Sequence, residues 1–164
     1  MRHLLRYLGI STTHVDHESK DVREFQKKFG HITNDTPTHL TRRKLMERIQ
    51  CMQEELDEFT EAVADQDLAA QADALVDLVY FAKGTANMLG LPWDALWADV
   101  HDANMAKVAG VGPRGHKVDC IKPVDWVGPQ TLEILEDAGY VRTNFTSIYP
   151  WDDKINEERC CDDQ

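Results

Sequence analysis

The chain has 164 residues, the length of one ordinary domain, and its 42% apolar content is enough for a real core. Eighteen Lys and Arg face 29 Asp and Glu, and a net charge of −11 argues against a duplex-binding surface, where phosphate contacts need clustered cations. No run reaches transmembrane length, and the first residues lack the continuous apolar stretch and small-residue cleavage site of a signal peptide. The four cysteines, Cys51, Cys120, Cys160 and Cys161, fit neither a disulfide framework nor a zinc pattern, so reduced thiols and a cytoplasmic location are expected.

In chain order, a first helix is expected after Ser19, where Val22, Phe25 and Phe29 fall at helical spacing and Gly30 is placed to end it. A loop, HITNDTPTH, follows. Leu45, Ile49, Met52, Leu56, Phe59 and Val63 then recur every three or four residues and predict a helix near 45–64, the clearest periodic signal in the sequence. Asp67 is a good N-cap for the next helix, 68–89, whose stripe runs from Leu68 through Leu75 and Val79 to Leu89 before Gly90. Because ADALVDLVYFA is apolar nearly all round, that helix is expected to be largely buried.

A fourth helix runs from Pro92 to about Met105, with Asp94 in its first turn and Trp93 and Trp97 at core-like spacing. From Ala109 to Pro129 the sequence is rich in Gly, Pro and Lys, a long loop with room for a short hairpin. A last short helix fits Thr131 to Asp137, closed by Gly139, and 140–164 read as a polar extension. The sum is an all-α antiparallel bundle, one domain over 1–164 with its core in about 20–135.

Between Ile49 and Ala82 there is no Lys, Arg or His, while nine acidic residues fall there. On a helix Glu55 and Glu58 lie i, i+3 and Glu54 and Glu58 i, i+4, so their carboxylates can reach a common point. Asp73 and Asp77 stack i, i+4 on the following helix. Like charges on an apolar helix need a compensating charge, and a hard divalent cation with oxygen ligands is the cheapest source. Glu61, Asp65 and Asp67 are expected to be solvated surface. His101 and His116 show no paired ligand spacing.

These residues carry a resemblance. The chain resembles the MazG-like all-α nucleoside triphosphate pyrophosphohydrolases, relatives of phosphoribosyl-ATP pyrophosphohydrolase and the helical dCTP and dUTP hydrolases, and their phage-type branch in particular. The family signature EExxE, a spacer, then ExxD stands here as Glu54, Glu55, Leu56, Asp57 and Glu58, with a second half ending at Asp77. The stretches DVREFQKKFG, ADALVDLVYFAKGTANMLGL, VHDANMAKV and KVDCIKPVDW resemble the blocks of such relatives over about 20–135. Where the signature has Glu, this chain has Ala74, and Asp73 stands one place earlier.

The resemblance implies hydrolysis between the α and β phosphates of a nucleoside triphosphate, giving a monophosphate and pyrophosphate, with guanine triphosphates the first candidates. Mg2+, with Mn2+ able to substitute, would be held by Glu55, Glu58 and Asp77 with Asp73 in support, and Glu54 or Glu55 would accept the proton of the attacking water. Asn104 and Lys107 are the preferred substrate contacts, with Lys83, Lys117 and Lys122 as further cations, Arg114 beside them in sequence, and Trp126 to stack the base. A homodimer or homotetramer would complete the hairpin. The rival reading is a non-catalytic acidic module that binds a basic partner. A di-iron bundle would show Glu-x-x-His pairs, and none is present.

Overall fold

A computed structural model of the chain describes residues 17–110 and 119–142. Lys117, Arg114, His116, Cys160, Cys161 and most of the C-terminal extension lie outside the described residues. The elements are α1 (His17–Lys28), α2 (Arg42–Ala64), α3 (Leu68–Leu89), α4 (Trp93–Met105), β1 (Val108–Gly110), β2 (Asp119–Ile121) and α5 (Thr131–Asp137). The protein is an all-α bundle with one small antiparallel hairpin, in which Val108 pairs with Ile121 and Gly110 with Asp119. No helix among the described residues is long and apolar enough to cross a membrane.

Local chemistry explains the boundaries. The Thr41 hydroxyl accepts from the Lys44 N–H at 3.3 Å to open α2, and the Asp67 carboxylate accepts from Ala69 and Ala70 to open α3. Between them the chain reverses in three residues, with Gln66 in the left-handed region. The antiparallel α2–α3 hairpin that results is the backbone of the fold. Helix α1 begins at His17 rather than after Ser19, which brings Glu18 into its first turn, where the helix dipole favours an anion.

Helix α1 lies along α3, antiparallel to it, through a polar seam. Val22 and Gln26 are buried there; the Gln26 amide donates to the Gly84 carbonyl at 2.8 Å and accepts from Asn87 at 3.1 Å. Gly84 admits this approach, because a Cβ on it would stand 3.3 Å from the Arg48 guanidinium and 3.5 Å from Val22. From α2, Arg48 crosses the same point to Thr85 Oγ1 and the Phe81 carbonyl, both at 3.0 Å.

The far end of α3 is tied to the 34–38 segment. Asn34 and Thr38 N–H groups donate to the Asn87 and Leu89 carbonyls at 3.0 and 2.9 Å, and the Asn34 side chain reaches the Met88 carbonyl. These are carbonyls a helix end leaves without internal partners. Gly90 terminates the helix at φ 67° directly under that segment.

The expected burial of α3 is corrected by the structure. Ala74, Ala86 and Met88 are buried, but Val76 and Leu68 are 63% and 76% exposed, and Leu75 and Val79 are also open. The reason is that α1 and α2 cover only part of the helix, and the 34–38 segment and Trp93 of α4 reach it only towards its C-terminal half. Met46, Ile49, Leu56 and Val63 of α2 are likewise exposed. Trp97 of α4, assigned to the core by its spacing, is exposed and stacks on Trp93 at 6.3 Å.

Candidate active site

The acidic residues meet where the two arms of the hairpin face each other. Glu54, Glu55 and Glu58 project from α2, and Asp73 and Asp77 from α3. Glu55 is the innermost. Its Oε2 is buried and has no hydrogen-bond partner. Burial pushes the Glu55 carboxyl above the usual carboxylate range, and the charges of Glu58, Asp77, Glu54 and Asp73, in that order, push it the same way. A buried carboxylate oxygen among four like charges is relieved either by holding a proton or by a cation. No ion pair among the described residues joins any of these five carboxylates to a lysine or arginine.

The outer members are open to solvent. Glu54 accepts a hydrogen bond from Gln50 at 3.1 Å, and Asp77 and Asp73 are exposed. Ala74 is buried, so the position that carries Glu in the signature points into the hairpin, while Asp73 sits outside it. Asp73 also exerts the weakest pull of the four on Glu55, which follows from its place one residue, 100 degrees, off the buried Ala74 position. The donor set is all hard oxygen and suits Mg2+ or Mn2+, although no three of these side chains are gathered into a ligand shell. A cation would have to draw them together by side-chain rotation.

A second cluster assembles at the end of α4. The Trp126 indole N–H donates to the Ala103 carbonyl at 2.7 Å, satisfying one of the carbonyls left over in the last turn of α4. Lys122 lies 4.4 Å and Lys107 5.9 Å from the centre of the Trp126 ring, and Lys107 donates to Asn104 Oδ1 at 2.7 Å. Four of the residues proposed to contact substrate, Asn104, Lys107, Lys122 and Trp126, are therefore one group. The Gln130 N–H donates to Asp99 at 2.6 Å, and His39 meets the Tyr140 hydroxyl at 3.1 Å, which ties this arm to α4 and to the loop before α2.

Lys83 is not part of either cluster. It is buried, with its ammonium 3.6 Å from Glu18 and 5.5 Å from the centre of the Trp93 ring, where it joins α1 and α3 to α4. The residue missed by sequence reasoning is Asp21. Its charge reaches Tyr80, whose hydroxyl is raised by burial first and then by Asp21 and Asp77. Asp21 of α1 therefore lies within electrostatic reach of Tyr80, and no spacing in the sequence singled it out.

Residues 22–104, just over half of the chain, match the model of the phosphoribosyl-ATP pyrophosphohydrolase family. The chain belongs to that family. The match runs from within α1 to the last turn of α4 and so includes every acidic residue of the hairpin, together with Asn104. It makes the protein a member of a family of nucleotide pyrophosphohydrolases. No curated protein matches the chain.

Replacing Glu55 with Gln separates the electrostatics from the chemistry. A carboxyl whose folded value is raised holds its proton more tightly in the folded chain, so its ionisation removes stability as pH rises above the unfolded carboxylate range. In EDTA at neutral pH the E55Q variant is expected to melt a few degrees above wild type. Mg2+ is expected to raise the melting temperature of wild type and leave E55Q nearly unmoved. Thermal melts with and without Mg2+ check both, and an E55Q variant less stable than wild type in EDTA contradicts the assignment.

Proposed function

We propose that this family member hydrolyses a nucleoside triphosphate between its α and β phosphates, releasing a monophosphate and pyrophosphate, with Mg2+ or Mn2+ held by Glu55, Glu58 and Asp77. The observation that carries the reading is the buried, unpartnered Oε2 of Glu55 among four other carboxylates. Asp73, on the exposed side of the hairpin, supports the cation from the rim of the site. A divalent cation there would neutralise phosphate oxygens and acidify water.

The rest falls to the chain's own residues. Glu54 or Glu55 accepts a proton from water as its oxygen bonds to the α phosphorus, and the bond from that phosphorus to the bridging oxygen breaks, so that pyrophosphate carries away the electron pair. Charge growing on the pyrophosphate is met by Lys107 and Lys122, and Asn104 holds Lys107 in place. Lys117 would add to them. A purine base, guanine first, is the proposed specificity.

The second copy has a reason to bind. Leu68, Val76 and Val79 of α3 with Ile49 of α2 leave an apolar surface on the hairpin itself, and among the described residues Lys107 and Lys122 make no ion pair with the hairpin of their own chain. A homodimer or homotetramer covers that surface. The phage-type branch is the proposed place within the family, and a cytoplasmic location the proposed compartment.

The test is a panel of ribo- and deoxyribonucleoside triphosphates, with phosphoribosyl-ATP included, assayed with Mg2+ or Mn2+ for pyrophosphate and monophosphate. Release of both from at least one guanine triphosphate is expected. A purified protein that releases neither from any compound, and whose melting temperature Mg2+ leaves unchanged, is the non-catalytic acidic module instead.

A further inference from the structure

The aromatic side chains beside the acidic face have no part in the chemistry so far. Asp21 and Phe25 lie at i and i+4 along one flank of α1, and Phe29 follows directly after the helix's last residue, its N–H donating to the Phe25 carbonyl at 3.1 Å. The Phe25 ring stands edge-on to Tyr80 at 5.6 Å and 87°, and its centre is 4.6 Å from that of Phe29. His31 adds a second edge at 6.0 Å and 89°. Despite these contacts Phe25 and Phe29 remain 42% and 56% exposed.

Tyr80 follows Asp77 by three residues on α3, so the two side chains are neighbours on one helix face. Helix α1 runs antiparallel to α3, so the step from Val22 beside Gly84 to Phe25 beside Tyr80 leads on, through Phe29, in the direction of Asp77. An exposed aromatic group thus begins one helical turn from a carboxylate assigned to the cation that would neutralise the phosphates. In a nucleotide the base is joined to the α phosphate through a single sugar, so a base whose phosphates are held beside Asp77 is within reach of this group. The other stacking candidate, Trp126, stands in the second cluster at the end of α4.

We infer that Phe25, Phe29 and Tyr80 form the subsite that receives the nucleobase of the substrate, an inference that rests on the nucleotide reading above. Phe25 and Phe29 offer π faces for stacking, which favours the larger ring system of a purine, and Lys28, 5.3 Å from the Phe29 ring centre, covers one side of that ring. Tyr80 sets the angle of Phe25 and places it beside the phosphate site.

The experiment uses the full chain with Mg2+ and an α,β-methylene triphosphate of the 2-aminopurine nucleoside, whose fluorescence is quenched on stacking and whose bridge resists cleavage. Wild type is expected to quench it. The F25L and F29L variants keep apolar bulk and lose the ring; each is expected to bind the probe roughly tenfold more weakly with less quenching, and to raise KM for the cleavable triphosphate roughly tenfold while kcat stays within about twofold. F29L alters the more exposed ring and is the variant least able to disturb folding. Wild-type activity with unchanged KM and quenching in both variants overturns this inference alone. A change in sedimentation mass without a change in KM overturns it too and makes the face an interface between copies. A wild type that binds and cleaves no nucleotide overturns the parent reading and this one together.

Discussion

Replacing Asp77 with alanine is expected to reduce pyrophosphate release by more than about 100-fold, since even groups that stand behind metal ligands change affinity or activity by 10–100-fold. Asp77 is the exposed end of the proposed cation site and, after Glu58, the strongest neighbouring charge on Glu55. Its removal leaves one wall of the site without a donor. The loss is expected chiefly in kcat, with Asp77→Asn as inactive as Asp77→Ala, because an amide keeps the shape and removes the charge. Folding is not expected to suffer: in EDTA the variant relieves repulsion on Glu55 and melts no lower than wild type. Steady-state assays beside thermal melts check this, and a fully active D77A variant places the site elsewhere.

Replacing Gly90 with alanine is expected to be the most damaging small change in the described bundle. At φ 67° any L residue is strained by roughly 1–2 kcal/mol. A Cβ there would also stand 2.1 Å from the Thr36 carbonyl oxygen, a backbone atom that cannot rotate away. The 34–38 segment must then move, and its bonds to the Asn87, Met88 and Leu89 carbonyls are weakened. A loss of about 3 kcal/mol or more follows, roughly 6–12 °C in melting temperature for a chain of this size. Gly30→Ala is the control, because Gly30 has φ 70° with nothing within 4 Å of its Cβ position and carries only the strain. Equal losses in the two variants contradict the close contact with Thr36.

The two variants probe features that differ in how far the sequence disclosed them. The hairpin was legible because Leu45 to Val63 repeats at helical spacing and because Asp67 and Gly90 carry short-range signals: a carboxylate that caps two N–H groups, and a residue free to take positive φ. The acidic pairings i, i+3 and i, i+4 are equally local, so the residue spacing alone is enough to group Glu55 with Glu58 and Asp73 with Asp77.

What was not legible depends on contacts between distant residues. The Thr36 carbonyl above Gly90, the bond from Trp126 to Ala103 and the place of Lys83 between Glu18 and Trp93 join positions far apart in the chain. Composition made α3 look buried, since periodicity reports how apolar a face is and not which surface covers it. Val76 and Val79 show the difference. The same limit hid Asp21, whose place beside Tyr80 follows from how α1 lies on α3.

The central claim, a cation-dependent cleavage at the α phosphate by the acidic hairpin, is tested most directly by following one guanine nucleoside triphosphate by phosphorus NMR with the wild-type chain and Mg2+. The account predicts that monophosphate and pyrophosphate resonances rise in equal amounts and stop rising when EDTA is added. Release of orthophosphate with a nucleoside diphosphate, or turnover indifferent to EDTA, would contradict it.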